Sequence, residues 1–290
     1  MGLSWQQGPL GATVGRFLIP DWQPQRLLFA EPARRRMRVE LAGEWIADSE
    51  EVILLHEPGR YPVAYFPISS ISSTALIPEE RKTQHKDLGE TSWFTVSVGG
   101  KESRHAAWQH TGLPEHASIL DGFVAFAWRA MDGFYEEDER IFGHAADPYH
   151  RIDIRQTSRH LVVQDSGQTI AETRRPLVLY ESGFAPRWYV PRADVDESFL
   201  RMVEGQTFCP YKGLASYYDI GERHKAAWSY QEAWPEAARI SDYISFEADK
   251  IDVFIDEKKL DLEPGQKVTP HGIDRGLDPA ELMERAKDRQ

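Results

Sequence analysis

The chain has a single cysteine, Cys209, among 290 residues. That excludes a disulfide framework and every zinc or iron–sulfur site built from several cysteines. Basic residues are scarce against acidic ones: 34 Lys plus Arg face 46 Asp plus Glu, a formal charge of −12. Nonspecific nucleic-acid binding and attachment to anionic membranes both need a basic footprint, so neither partner is expected. No apolar run approaches the roughly 18 residues of a membrane span. The longest, such as Phe123–Trp128, are strand-sized. Met1–Gly15 lacks the basic start and apolar stretch of a secretory signal. The expectation is a cytoplasmic protein with a reduced thiol. Also missing are a Gly-x-Ser-x-Gly elbow, a His-Glu-x-x-His pair, a dinucleotide fingerprint and a phosphate-cradling glycine loop. Standard hydrolase, metalloprotease and nucleotide-binding readings therefore have no motif behind them, and no cofactor is expected.

What the chain does contain is a repeat. Gly43-Glu-Trp-Ile-Ala-Asp-Ser49 matches Gly167-Gln-Thr-Ile-Ala-Glu-Thr173 at an offset of 124 positions. Holding that offset pairs Leu55 with Leu179, Glu57 with Glu181, Gly59 with Gly183, Pro62 with Pro186, Tyr65 with Tyr189 and Gly89 with Gly213. After a short deletion, Ala106-Ala-Trp108 pairs with Ala226-Ala-Trp228, Pro114 with Pro235, and Phe126 with Phe246. Chance does not keep Gly, Pro and Trp in register over such a span, so the chain is read as a tandem duplication. Copy one covers 36–141 and copy two 158–260. A lead-in covers 1–35, a linker 142–157, and a tail 261–290.

Each copy reads as mostly strand. Asp165-Ser-Gly167 between β-forming runs predicts a hairpin. Ile251, Val253 and Ile255 alternate onto one face. Helical signals are few: Asp194–Val203 with Asp196 as a cap, a turn at Pro235–Ile240, and a tail helix opening at Asp278-Pro-Ala-Glu281. The expected fold class is all-β, mainly antiparallel sheet with minor helix, in two tandem copies.

The segments Leu179-Tyr-Glu-Ser-Gly183, Arg187-Trp-Tyr-Val-Pro191, Thr207-Phe-Cys-Pro-Tyr-Lys-Gly213 and Ala227-Trp-Ser-Tyr230 resemble a known family. So do Phe134–His144 and Asp147–Asp153 in the first half. The chain resembles the tandem form of the domain-of-unknown-function 427 family, common in actinobacteria. The resemblance implies a β-tent-like domain. Other members of the β-tent group hold zinc between paired cysteine loops; one cysteine cannot do so, and no structural zinc is expected. The family is sometimes labelled nucleotidyltransferase-like, but no glycine-rich loop or paired-carboxylate metal motif supports that label here.

The duplication also acts as an internal control. Groups kept in both copies, such as Gly89/Gly213, Trp108/Trp228 and Tyr65/Tyr189, are expected to serve turns and core. Glu57/Glu181 either satisfies backbone amides or faces a pocket. Positions that differ are better site candidates: Leu88 against Lys212, Asp87 against Tyr211, Val63 against Arg187, His85 against Cys209. Copy two thus offers Lys212, Tyr211, Glu181 and Cys209 as candidate catalytic groups. Arg187, Tyr230, Trp228 and, from copy one, His85 are candidate substrate-binding groups. Arg187 and Lys212 would hold an anion, or else form a surface ion pair. Cys209 is a nucleophile if a cation lowers its pKa, and otherwise a small buried residue. His144, Asp147 and His150 have the residue types of a metal site, but Pro148 argues for a packed linker, and no metal is expected. Two function classes follow. One is a cofactor-independent lyase, isomerase or hydrolase acting on a small anionic or polar metabolite. The other is a noncatalytic binding module or scaffold.

Overall fold

The computed structural model describes residues 27–261 apart from 58, 59 and 183. The expected tail helix, and Gly59 with Gly183, lie outside the described residues. The chain divides into two compact units at Pro148/Tyr149. Among the described residues all strand pairing is antiparallel, and each unit shows one seven-stranded and one four-stranded sheet. The first large sheet runs, in spatial order, Phe29–Pro32, Ile53–His56, Val63–Pro67, Phe123–Phe126, Lys101–Thr111, Gly89–Val98, Leu76–His85. The second runs Ile152–Gln156, Leu177–Glu181, Arg187–Val190, Ile244–Phe246, Arg223–Ser229, Gly213–Ile220, Leu200–Cys209. The strand order is the same in both, so the repeat is a repeat of fold. Each large sheet takes its first strand from outside the sequence repeat: Phe29–Pro32 from the lead-in and Ile152–Gln156 from the linker.

Local chemistry explains the turns. Leu161–Asp165 and Gln168–Thr173 form the expected hairpin, with Ser166 and Gly167 at φ of 52° and 82°. Two consecutive positive φ values match the right-handed twist of the flanking strands. Gly89 and Gly213 follow the tight turns out of His85 and Cys209 with φ of 80° and 95°. A Cβ on Gly89 would stand 2.9 Å from the Gly112 carbonyl oxygen, and one on Gly213 3.3 Å from that of Glu232. Glycine is kept in both copies because the backbone is left-handed and crowded there.

Two expectations are corrected. Asp194–Val203 is not a helix. Asp196 does cap, accepting from the Ser198 N–H, but over only one 3₁₀ turn, Glu197–Phe199. From Leu200 the chain is extended, because Leu200–Val203 pairs with Tyr217–Ile220. Pro235 is not the structural partner of Pro114. The two 3₁₀ segments align as Ala117/Ala237 and Leu120/Ile240, all four buried, which sets Trp234 opposite Pro114.

Both faces of each large sheet are covered. In the second unit one face packs on the small sheet through Leu161, Val163, Val190, Ile220, Ile244 and Val253. The opposite face carries an aromatic layer of Tyr189, Tyr217, Trp228 and Tyr230 beneath the Pro235–Ile240 segment. That second layer holds the polar groups.

Candidate functional site

Residues directly opposite each other in an antiparallel ladder share a face. Tyr189 faces Ser245, Ser245 faces Trp228, and Trp228 faces Tyr217, so these four form a row across four strands. Arg187 lies two residues before Tyr189 and Glu247 two after Ser245, which returns both to the same face. Their charged ends meet at 3.7 Å, with the Arg187 guanidinium 5.3 Å above the Trp228 ring. Such a cation over an indole is held by the ring quadrupole.

Lys212, in the turn after Cys209, donates from Nζ to Glu181 Oε2 at 2.5 Å. Both are buried, at 8% and 9% side-chain exposure. The other Glu181 oxygen meets His150 Nε2 at 2.9 Å, and the His150 ring stacks on Tyr211 with centroids 3.8 Å apart. Burial alone would push the Glu181 carboxyl up; the Lys212 ammonium and the His150 hydrogen bond outweigh it and hold it at about 2. Burial likewise opposes the Lys212 charge, yet Cys209, Glu181 and Tyr189 around it raise its pKa overall. Lys212 and Glu181 are therefore a charged, mutually satisfied buried pair, neither a surface pair nor an unpartnered anion site.

The remaining groups converge on the same layer. Burial raises the Tyr189 hydroxyl to about 12, and Lys212, Glu181 and Arg187 all act on it electrostatically. Burial also raises Tyr230 and Cys209. The condition for a nucleophilic Cys209 is not met, since Lys212 does not overcome the burial of the thiol. The structure thus brings together Lys212, Glu181, Tyr211, Cys209, Arg187, Trp228 and Tyr230. It does not bring His85 to them. His85 belongs to the first unit, where its Nε2 meets Glu57 at 3.0 Å and its Nδ1 accepts the Asp87 and Leu88 N–H groups. Likewise His144 stacks on Tyr61 in the first unit while His150 serves Glu181 in the second. Among the described residues no cluster of three His, Cys, Asp or Glu side chains could hold a metal.

Glu247 was not anticipated. Its side chain is 1% exposed, and among the described residues neither carboxylate oxygen accepts a hydrogen bond. Burial raises it from 4.5 to about 7, against the opposing Arg187 charge. The hydroxyl of Ser245, on the same row, is buried and equally unpartnered. In the first unit the aligned residues are Val63 and Ala127, so the pair differs as a pair. The signal was present one residue past the Phe126/Phe246 match: a carboxylate replacing an apolar residue, the same test that singled out Arg187.

Arg187 also borders a cleft of about 310 Å³, together with Trp188, Tyr180, Arg159, Phe246 and Ala248. Among the described residues no helix is long and apolar enough to cross a membrane.

Two antiparallel units of one topology, one of them carrying buried charges the other lacks, define a tandem all-β protein whose copies have diverged. The chain belongs to the family described as a domain of unknown function (DUF427), which matches residues 29–137 and 153–257, one segment in each unit. No curated protein matches it.

Proposed function

We propose that the second unit binds a small anionic or polar metabolite at the Arg187–Glu247 rim and performs cofactor-independent acid–base chemistry on it, as a lyase, isomerase or hydrolase. The observation that carries this reading is Glu247: a buried carboxyl without a hydrogen-bond donor, facing a cation that reaches the surface at 16% exposure. A buried polar group left unmatched costs on the order of 1–3 kcal/mol and persists where something else offsets it. A ligand donor would satisfy Glu247. A carboxyl that titrates near neutrality also serves as either acid or base at working pH. Half-neutral Glu247 leaves Arg187 only partly compensated, so Arg187 can donate bidentately to the acid group of a ligand. Tyr189 and Tyr230 stay protonated and act as donors. Lys212 and Glu181 hold the neighbouring turn and set the field on Tyr189. A cytoplasmic setting suits the free thiol of Cys209.

The self-satisfied Lys212–Glu181 pair favours the second reading, a binding module without turnover. Calorimetric screening of small organic acids, followed by NMR observation of any bound acid, separates them. Binding lost in Arg187→Met, with substrate resonances changing in the wild type but not in Glu247→Gln, supports the enzyme. Binding lost in Arg187→Met without any change in resonances supports the module. Acid binding untouched by either substitution overturns the site.

A further inference from the structure

The cleft of the second unit lies on the Trp188 face of the large sheet, where the small sheet packs, whereas the Arg187–Glu247 rim lies on the other face, over Trp228. The two are separate places. The first unit fills the counterpart of the cleft with its own aromatic side chains. Sheet register aligns Val253 with Phe134, since Val163 faces Val253 as Val39 faces Phe134. The Leu260 N–H reaches the Val253 carbonyl where Ile141 pairs with Phe134, which sets Leu260 on Ile141 and Asp261 on Phe142. Two residues past the Phe126/Phe246 match, Ala248 aligns with Trp128; one before the Pro62/Pro186 match, Ala185 aligns with Tyr61. In the first unit Trp128 stacks on Phe134 with centroids 3.8 Å apart, Tyr61 stacks on His144 at 3.8 Å, and Phe142 is buried. The second unit has Ala, Val, Ala and Asp in place of Trp128, Phe134, Tyr61 and Phe142. Changes in the other direction, Trp188 for Ala64 and Tyr180 for His56, supply walls instead of a plug. Removing rings from a packed corner without letting the corner collapse leaves a hollow, because protein interiors otherwise pack densely.

What lines the hollow indicates its occupant. Leu161, Val163, Val253 and Phe246 are apolar, and Trp188 and Tyr180 offer aromatic surface, with Tyr180 48% exposed. The charges beside it are already matched. The Arg159 guanidinium lies 5.2 Å over Trp188, and its Nε donates to Asp256 at 2.6 Å. The Arg187 guanidinium is on the opposite face, 3.7 Å from Glu247. Asp261, beyond Leu260, is within electrostatic reach of Lys259. An apolar hollow between matched charges favours neither an anion nor a cation. It favours a ring like those it lacks, since a dry cavity left by a missing side chain takes up a free aromatic ring. The volume of about 310 Å³ is at the lower end of small-molecule sites. We propose that this cleft is a second binding site of the unit, for a small uncharged aromatic compound of about the size of an indole, packed against Trp188 and Tyr180.

The test titrates the full chain calorimetrically with two uncharged probes: indole, the ring of Trp128, and cyclohexanol, a saturated ring. Indole is expected to bind at one site per chain and to raise Tm, and cyclohexanol to bind at least threefold more weakly. Ala248→Trp, which restores the residue of the first unit, is expected to weaken indole at least tenfold with an unchanged or higher Tm; Val253→Phe is the second filling variant should the first misfold. A wild type that ignores indole overturns the proposal, and leaves the Arg187–Glu247 rim standing. Equal binding of indole to wild type and both filled variants overturns it, as does equal affinity for cyclohexanol. A wild-type dimer that Ala248→Trp converts to monomer makes the cleft an interface between copies, and also overturns it.

Discussion

Glu181 in the second unit and Glu57 in the first are the same carboxylate met by different side chains. Lys212 Nζ lies 2.5 Å from Glu181, whereas Glu57 meets His85 Nε2 at 3.0 Å. Where the second unit has Lys212 the first has buried Leu88, and where the first has His85 the second has Cys209. The partner moved three residues along one turn, and the acid stayed.

Removing one member of a buried pair strands the other charge. Lys212→Met is expected to destabilise the chain by about 3–5 kcal/mol, and Lys212→Met combined with Glu181→Leu to recover most of that loss. Urea denaturation of the three variants checks it. Equal stability of wild type and Lys212→Met contradicts the buried pair.

Glu247 gives stability a slope on the alkaline side. Its folded pKa of about 7 exceeds its ordinary 4.5. The contribution is therefore complete below about pH 4.5 and lost as pH rises through 7. At 1.36 kcal/mol per unit that is about 3 kcal/mol. Glu247→Gln is expected to flatten the fall of Tm between pH 5 and 8, read by calorimetry in a pH series.

His110 acts in the opposite direction in the first unit. It is buried between the Tyr65 hydroxyl at 2.9 Å and the Thr91 hydroxyl at 3.1 Å, and burial lowers it from 6.5 to about 4. Its neutral form is stabilised in the fold, so its contribution is full above about pH 6.5 and lost as pH falls through 4. The second unit has Tyr230 at the aligned position. His110→Tyr is expected to reduce acid sensitivity between pH 6.5 and 4, whatever its effect at neutral pH. An unchanged acid limb in a Tm series contradicts this.

Glycine replacement should rank by backbone crowding. Gly89→Ala, with a carbonyl oxygen 2.9 Å from the new methyl, is expected to cost more than Gly213→Ala, with 3.3 Å. Both carry the left-handed strain, of order 1–2 kcal/mol. Chemical denaturation gives the ranking.

The duplication and the all-β class were legible because the residues that mark turns, Gly89/Gly213 and Pro62/Pro186, are constrained by local backbone geometry and kept in register. The helix expected over Asp194–Val203 failed because a local cap at Asp196 competes with pairing to Tyr217–Ile220, which is decided across the sheet. Lys212, Glu181 and Arg187 could be picked out by comparing copies. Glu247 answers to the same comparison, as a carboxylate against Ala127, but its meeting with Arg187 at 60 positions, and that of His150 with Glu181 at 31, are decided across the sheet and not by local pattern.

The most direct measurement exchanges the rim of the second unit for that of the first. Arg187→Val with Glu247→Ala installs the pair found at Val63 and Ala127, residues this fold already accommodates there. Calorimetric titration with a small organic acid that binds the wild type should give one site per chain there and none in the double variant, with Tm held or raised. Two sites per chain, or one site that survives the exchange, would contradict the assignment of binding to the Arg187–Glu247 rim.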